Sequence, residues 1–248
     1  MTQVLIITGA SRGIGAATAL LAASRGYSVC VNYRSNHQAA ETVVKSIEED
    51  GGKAIAVAAD ISKEEDVLRL FDTTTQALGA VTGLVNNAGI LDKLCRLDEM
   101  STERLRKIFD TNILGSFLCA REAVKRMSTK HGGNGGGIVN VSSIASRLGS
   151  PNEFVDYAAS KGAIDTLTIG LAKEVATEGI RVNGVCPGLI DTEMHNDSGD
   201  SGRAFRLQGA IPMKRVGTAD EVAKAILWLL SDEASYVTGS LFDVSGGR

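Results

Sequence analysis

Acidic residues are absent from the first forty positions; none precedes Glu41. Proline occurs three times, at Pro151, Pro187 and Pro212. So few prolines, with no internal repeat and no shift in composition, mark no second domain. The four cysteines (Cys30, Cys95, Cys119, Cys186) are scattered and form no CxxC pair, and the three histidines (His37, His131, His195) are equally dispersed. That pattern indicates neither a disulfide framework nor a zinc site, so no metal is expected. Reduced cysteines in a cytoplasmic protein are the expectation. A net charge of -3 gives no basic surface and argues against nucleic acid. No apolar run reaches membrane-spanning length, so no membrane partner is expected. The opening Thr2-Gln3-Val4-Leu5-Ile6-Ile7 lacks a basic flank and runs into glycines, which reads as a strand and not a signal peptide.

What is present is a regular alternation. The 248 residues suffice for one large α/β domain. Val4 to Thr8 reads as a strand, Ile14 to Arg25 as a helix, Ser28 to Tyr33 as a strand and Ala39 to Asp50 as a helix. Ala54 to Ala58 is a strand, Glu64 to Leu78 a helix, and Leu84-Val85-Asn86 ends another strand. The second half continues with a helical region from about Thr102 to Lys130, broken near Asn112, and strands at Ile138 to Val141 and Val182 to Val185. The glycine cluster 132–137 reads as a surface turn, and the end of the chain as a turn and a last strand. Strand–helix alternation predicts a doubly wound α/β fold, a parallel sheet with helices on both faces. One domain, 1–248, is expected, with 1–90 mainly the cofactor half and 91–248 the catalytic and substrate half. Positions 191–209, polar and weakly periodic, read as a lid.

The first strand ends in Thr8-Gly9-Ala10-Ser11-Arg12-Gly13-Ile14-Gly15, and a helix follows. Glycines in that context let backbone approach a pyrophosphate at a helix start. The second strand ends in Asn32-Tyr33-Arg34-Ser35, where an NAD site would usually carry an acid for the ribose 2′-hydroxyl. Arg12 and Arg34 without a carboxylate suit a 2′-phosphate instead. NADP(H) is therefore the preferred cofactor, with NAD(H) as the alternative. Asp60-Ile61, after the third strand, offers a carboxylate to the adenine amino group.

Tyr157 and Lys161 stand four residues apart in Tyr157-Ala158-Ala159-Ser160-Lys161, which puts them on one helix face. A phenol beside an ammonium is expected to be a proton donor of lowered pKa. Asn86-Asn87-Ala88-Gly89, Ser142-Ser143 and Pro187-Gly188 each follow a strand, where open α/β sheets bind ligands. In these ordered motifs, across its whole length, the chain resembles the compact branch of the short-chain dehydrogenase/reductase family. Its second strand end is similar to glucose 1-dehydrogenase-like and 3-oxoacyl-carrier-protein reductase-like members.

The resemblance implies a Rossmann-fold sheet of about seven strands and a catalytic tetrad of Asn112, Ser143, Tyr157 and Lys161. Tyr157 would exchange a proton with the substrate oxygen. Lys161 would lower its pKa and bind the nicotinamide ribose. Ser143 would hydrogen-bond the substrate oxygen, and Asn112 would hold a water leading from Lys161 to solvent. Adjacent strand residues face opposite ways, so only one serine of the pair can serve; Ser143 is chosen and Ser142 held in reserve. The family spacing from serine to tyrosine is one residue shorter, which places an extra residue within Ser150 to Asp156. For the cofactor the resemblance implies Asn87 near the adenosine ribose, with Ala88 and Gly89 passing their backbone close to the cofactor. Gly188 and Ile190 would present backbone to the nicotinamide carboxamide, Thr192 would hydrogen-bond the carboxamide or the pyrophosphate, and Pro187 would also border the cofactor.

The expected activity is NADP(H)-dependent interconversion of a small-molecule carbonyl (ketone, aldehyde, sugar or acyl thioester) and its alcohol. A dinucleotide-binding or redox-sensing protein without turnover is the alternative, against which the intact Tyr157 and Lys161 weigh. Cys95, Arg96, Arg147, Glu153 and Phe154 are candidates for the substrate pocket. Small and apolar residues such as Ala120, Ala123, Ala158, Ile164 and Leu171 point to a homotetramer or homodimer paired through these helices, as in the family.

Overall fold

The computed structural model describes residues 3–194 and 202–248. Its strands are β1 (Val4–Ile7), β2 (Ser28–Tyr33), β3 (Lys53–Ala58), β4 (Gly83–Asn86), β5 (Gly136–Val141), β6 (Ile180–Pro187) and β7 (Leu241–Val244). They form one sheet in the order 3-2-1-4-5-6-7, and every pairing is parallel. The longer helices are α1 (Gly13–Ser24), α2 (His37–Glu49), α3 (Glu64–Leu78), α4 (Thr102–Phe109), α5 (Gly115–Met127), α7 (Val155–Val175) and α9 (Ala219–Leu230), with short α6 (Ala145–Leu148) and α8 (Arg203–Arg206) between them. Among the described residues, no helix is long and apolar enough to cross a membrane.

The sheet divides the core in two, as a strand's alternating side chains require. On β1, Leu5 and Ile7 pack with Ala19 and Ala22 of α1, Val44 and Ile47 of α2, and Val222 and Ile226 of α9. Val4 and Ile6 point the other way, to Leu70 and Phe71 of α3, Cys119 and Ala123 of α5, and Ala172 of α7. Both faces are covered, so these strands read as continuous apolar runs. Strand order reverses between β1 and β4, which opens a crevice at their carboxyl ends.

The helix break expected near Asn112 is present, and several other local features differ from expectation. The helical region after Thr102 breaks as a single wide turn at Asp110–Leu114, and Asn112 sits inside it. Gly136 and Gly137 belong to β5, not to the preceding turn. A Cβ on Gly136 would lie 2.2 Å from the Thr82 carbonyl, so the glycine permits close strand contact. Helix α9 has no counterpart in the sequence-based expectations, although Thr218 and Glu221 form a capping box at its start. Ala120, Ala123, Ala158 and Ile164 are spent on the chain's own core. The exposed apolar side chains on α4, the wide turn, α5 and α7 are Phe109, Leu114, Phe117 and Ile169. In the expected lid, Ala204 and Leu207 pack with Leu189, Ile211 and Val216, while 195–201 lie outside the described residues.

Candidate active site

The turn after β1 is braced from three strands. Thr8 Oγ1 accepts the backbone N–H groups of Asn87 and Ala88, each at 3.0 Å. Asn87 Nδ2 donates to the carbonyls of Thr8 at 2.8 Å and Gly9 at 3.0 Å. Asn32 Oδ1 accepts the Gly9 N–H at 3.2 Å, and its Nδ2 donates to Val57 and Ala59 of the β3 end. Gly9 has φ +61°, and a Cβ there would lie 2.9 Å from Ala88 Cα. A Cβ on Gly15 would lie 2.6 Å from Asn87 Nδ2 and from the Gly9 carbonyl. No larger residue fits at either position.

This turn borders a crevice of about 390 Å³. Gly9, Ser11, Arg12, Gly13, Ile14, Arg34, Ser35, Asp60, Ile61, Asn87, Ala88, Gly89 and Thr192 line it as expected from sequence, and Asn32 and Glu193 join them. Tyr33 does not. It is buried in the core beneath α2, with its hydroxyl 2.8 Å from His37 Nδ1. The pleat explains this correction: Asn32 and Arg34 share the crevice side, and Tyr33 faces the other. The Asp60 carboxylate accepts from the backbone and hydroxyl of Ser62.

The residues of the expected tetrad converge beyond β5. Ser142 donates to Asp165 at 2.5 Å and to the Lys161 carbonyl at 3.2 Å, so its hydroxyl is turned into the structure. Ser143 Oγ accepts the Ala145 N–H at 3.1 Å and lines the same cavity wall as Tyr157. Lys161 Nζ donates to the Val141 carbonyl at 2.7 Å and lies 5.6 Å from the Tyr157 ring centre. Asn112 is fully buried; its Oδ1 accepts the Ile90 N–H at 2.8 Å and its Nδ2 donates to Ile90 O and Ser160 Oγ. The Asn112 side chain therefore clamps the β4 loop to α7. Gly89 brings it close to Lys161, since a Cβ on Gly89 would meet both Lys161 Nζ and Asn112 Oδ1. Between α6 and α7 the backbone turns through left-handed Gly149, Ser150 and Asn152, the last two within the stretch expected to hold an extra residue.

Burial dominates the electrostatics. It pushes the Tyr157 phenol up to about 12, opposed by the Ser143 hydroxyl. The expected lowering is thus not realised: burial of the phenol outweighs the opposing contribution. Burial brings the Lys161 ammonium down to about 8, against the opposing charges of Asp165 and Cys186.

A second cavity of about 450 Å³ opens between these groups and the described part of the expected lid. It shares Ile14, Asn87, Thr192 and Met194 with the first, so the two are continuous. Ser143, Tyr157, Lys161, Pro187, Gly188 and Ile190 form one side. Glu153 and Phe154 line it as expected, whereas Cys95, Arg96 and Arg147 do not. Arg147 instead pairs with Asp243.

A family model described as enoyl-(acyl carrier protein) reductase matches residues 9–248. Uncharacterized oxidoreductase YgfF of Escherichia coli (strain K12) is 58% identical over 245 residues, 99% of each chain. Glucose 1-dehydrogenase 2 of Bacillus subtilis (strain 168) is 39% identical, covering 98% of this chain and 93% of its own. A variant of Serratia marcescens short-chain dehydrogenase/reductase has the same fold at a TM-score of 0.91 and 31% identity, covering 99% of this chain and 97% of its own. The chain belongs to the short-chain dehydrogenase/reductase family. It is accordingly an oxidoreductase of a family that binds NAD(P).

This short-chain dehydrogenase/reductase also positions its site with residues that no motif announced. Arg104 of α4 pairs with Asp156 at 2.8 Å, both nearly buried, and Asp156 Oδ1 accepts the Tyr157 N–H at 2.9 Å. Asp165 selects the orientation of Ser142 and adds negative charge beside Lys161. Arg203 and Arg248 line the second cavity. Of these, only Asp165 carried a sequence signal, one helical turn beyond Lys161.

Proposed function

We propose that the enzyme interconverts a small-molecule carbonyl and its alcohol with NADP(H), with Tyr157 as the general acid and base. The observation that carries this is the meeting of Ser143, Tyr157 and Lys161 on one wall of a cavity that is continuous with a glycine-braced crevice. The crevice suits a dinucleotide: side chains at Gly9 and Gly15 would collide with its wall, and the start of α1 offers backbone N–H groups to a diphosphate.

A bound nicotinamide would supply or accept the hydride. Tyr157 holds the proton that the substrate oxygen needs as it becomes an alcohol. A phenol near 12 keeps that proton at neutral pH yet yields it to a far stronger alkoxide base. Ser143 hydrogen-bonds the same oxygen and stabilises its developing charge. Lys161 favours the phenolate that remains and is close enough to Asn112 and Gly89 to shape the ribose side of the site. Arg12 and Arg34, in a crevice wall whose strand ends carry no acid before Asp60, support the phosphorylated cofactor. Gly13, Ala88, Gly188, Ile190 and Thr192 would pass backbone or hydroxyl groups along it. A homotetramer or homodimer is proposed on the exposed Phe109, Leu114, Phe117 and Ile169, and a cytoplasmic location on the free cysteines.

The test follows the ultraviolet absorbance of NADPH and NADH over ketones, aldehydes, sugars and acyl thioesters, with Tyr157→Phe alongside. Carbonyl-dependent loss of NADPH that disappears in the variant supports the assignment. Dinucleotide binding with no turnover of any carbonyl would replace it with a binding or redox-sensing protein.

A further inference from the structure

The substrate cavity has an uneven charge that hydride transfer does not explain. Its walls carry three cationic side chains, Lys161, Arg203 and Arg248, against one carboxylate, Glu153. Lys161 is already accounted for by Tyr157. Arg203 is nine-tenths buried, lies with its guanidinium carbon 5.3 Å from the Phe154 ring centre, and pairs with Glu153 through Nη2. Its buried Nε has no hydrogen-bond partner among the described residues. Arg248 lines the same cavity, where burial and the Arg203 charge push its pKa down and Glu153 opposes them. Two guanidinium groups beside one carboxylate leave an excess positive charge and an unused donor. Leu91, Leu148, Phe154 and Leu189 give the rest of the wall an apolar character.

We propose that Arg203 and Arg248 form an anion-binding subsite, and that the substrate is a short oxo acid whose carboxylate is held there while its carbonyl meets Tyr157 and Ser143. The proposal rests on the carbonyl–alcohol activity above. A guanidinium fork matches a carboxylate's two oxygens, and the Arg203 Nε–H is a buried donor without a partner among the described residues. Glu153 cancels one of the two arginine charges, which fits a monoanion better than a phosphate dianion.

The experiment compares short oxo acids with their methyl esters, which keep the carbonyl and lose the charge. Turnover with NADPH is measured on the wild type, Arg248→Gln, Arg203→Gln and Arg203→Lys. Binding of the same acids to Tyr157→Phe with NADP+ is measured by calorimetry. The wild type should favour acid over ester by about tenfold or more in kcat/KM, mostly through KM. Arg248→Gln should bring that ratio toward one, and Arg203→Lys should keep more of it than Arg203→Gln. The wild-type acid-to-ester ratio decides even if an Arg203 variant fails to fold. Esters reduced as well as acids would overturn the subsite and leave the reductase standing. Charge-dependent binding without turnover of any compound would uphold the subsite and sink the reductase. Neither turnover nor charge-dependent binding would overturn both.

Discussion

Ser142 gives its hydroxyl proton to Asp165 at 2.5 Å, and that bond decides which serine of an adjacent pair is available to Tyr157. Ser143 is left lining the cavity beside Tyr157. The two serines should therefore fail differently. Ser143→Ala is expected to lower kcat by about 10²–10³-fold, the usual effect of removing one oxyanion donor, with little change in melting temperature. Ser142→Ala leaves the Asp165 carboxylate short of a partner and should cost about 1–3 kcal/mol of stability while sparing more of the activity. Steady-state kinetics and thermal melts on both variants check this; equal loss of kcat in the two would refute the assignment.

Stability should rise with pH where Lys161 titrates. Burial holds its ammonium near 8, below the 10.5 of a free lysine. Below pH 8 both folded and unfolded chains carry the proton, so the folded state bears the full penalty of a buried charge. Between about pH 8 and 10.5 the unfolded state binds more protons, and stability increases. Lys161→Met should lack this rise and should be more stable at pH 7, by at most about 3 kcal/mol. Melting curves of the two proteins from pH 7 to pH 10 should converge; parallel curves would show that Lys161 keeps an ordinary pKa.

Cofactor choice should reside at the end of β2. Arg34 is exposed and stands on the crevice side of the pleat with Asn32. Arg34→Asp, which installs the missing acid, should lower kcat/KM for NADPH by roughly ten- to a hundred-fold. It should leave kcat/KM for NADH equal or improved. An unchanged ratio between the two cofactors would assign the 2′-phosphate contact elsewhere.

The sheet was legible from sequence because its central strands are buried on both faces and β2, β3, β5 and β6 each follow a glycine turn, so β1 to β6 emerge as apolar runs. Side-chain direction was legible only where alternation was applied. It left Ser142 and Ser143 undecided, since Asp165, the group that discriminates between them, lies on another element. The same alternation sets Tyr33 on the core side, opposite to Asn32 and Arg34 in the crevice. Helix α9 had a signal in Thr218 and Glu221. The convergence of Arg203, Glu153 and Arg248 on one cavity had none: it joins three segments distant in sequence, which no local pattern records.

Gly9→Ala should damage the crevice and the fold together. The residue has φ +61°, where an L side chain is strained by about 1–2 kcal/mol. Its new methyl would press on the Ala88 backbone at 2.9 Å, inside the turn that Thr8 and Asn87 brace. Together these predict a loss of about 2–4 kcal/mol, or roughly 5–15 °C in melting temperature for a domain of this size. Dinucleotide affinity, read by quenching of tryptophan fluorescence or by calorimetry, should fall in the same variant. A normal melt with lost binding would mean that the turn relaxes and the methyl meets only the ligand.

The buried pair of Arg104 and Asp156 offers the sharpest separation of structural from positioning effects. Both side chains are at most one-tenth exposed, and the Asp156 carboxylate also accepts the Tyr157 N–H, so the pair fixes the first turn of α7. Arg104→Met strands a carboxylate in the interior and should cost about 3–5 kcal/mol. Asp156→Asn keeps an acceptor for Tyr157 and removes the stranded charge. The double variant should therefore be more stable than Arg104→Met alone, a coupling that a double-mutant cycle reads directly. If the pair positions Tyr157, Asp156→Ala should lower kcat beyond Asp156→Asn at temperatures where both remain folded. Equal kcat in the two would restrict the pair to stability.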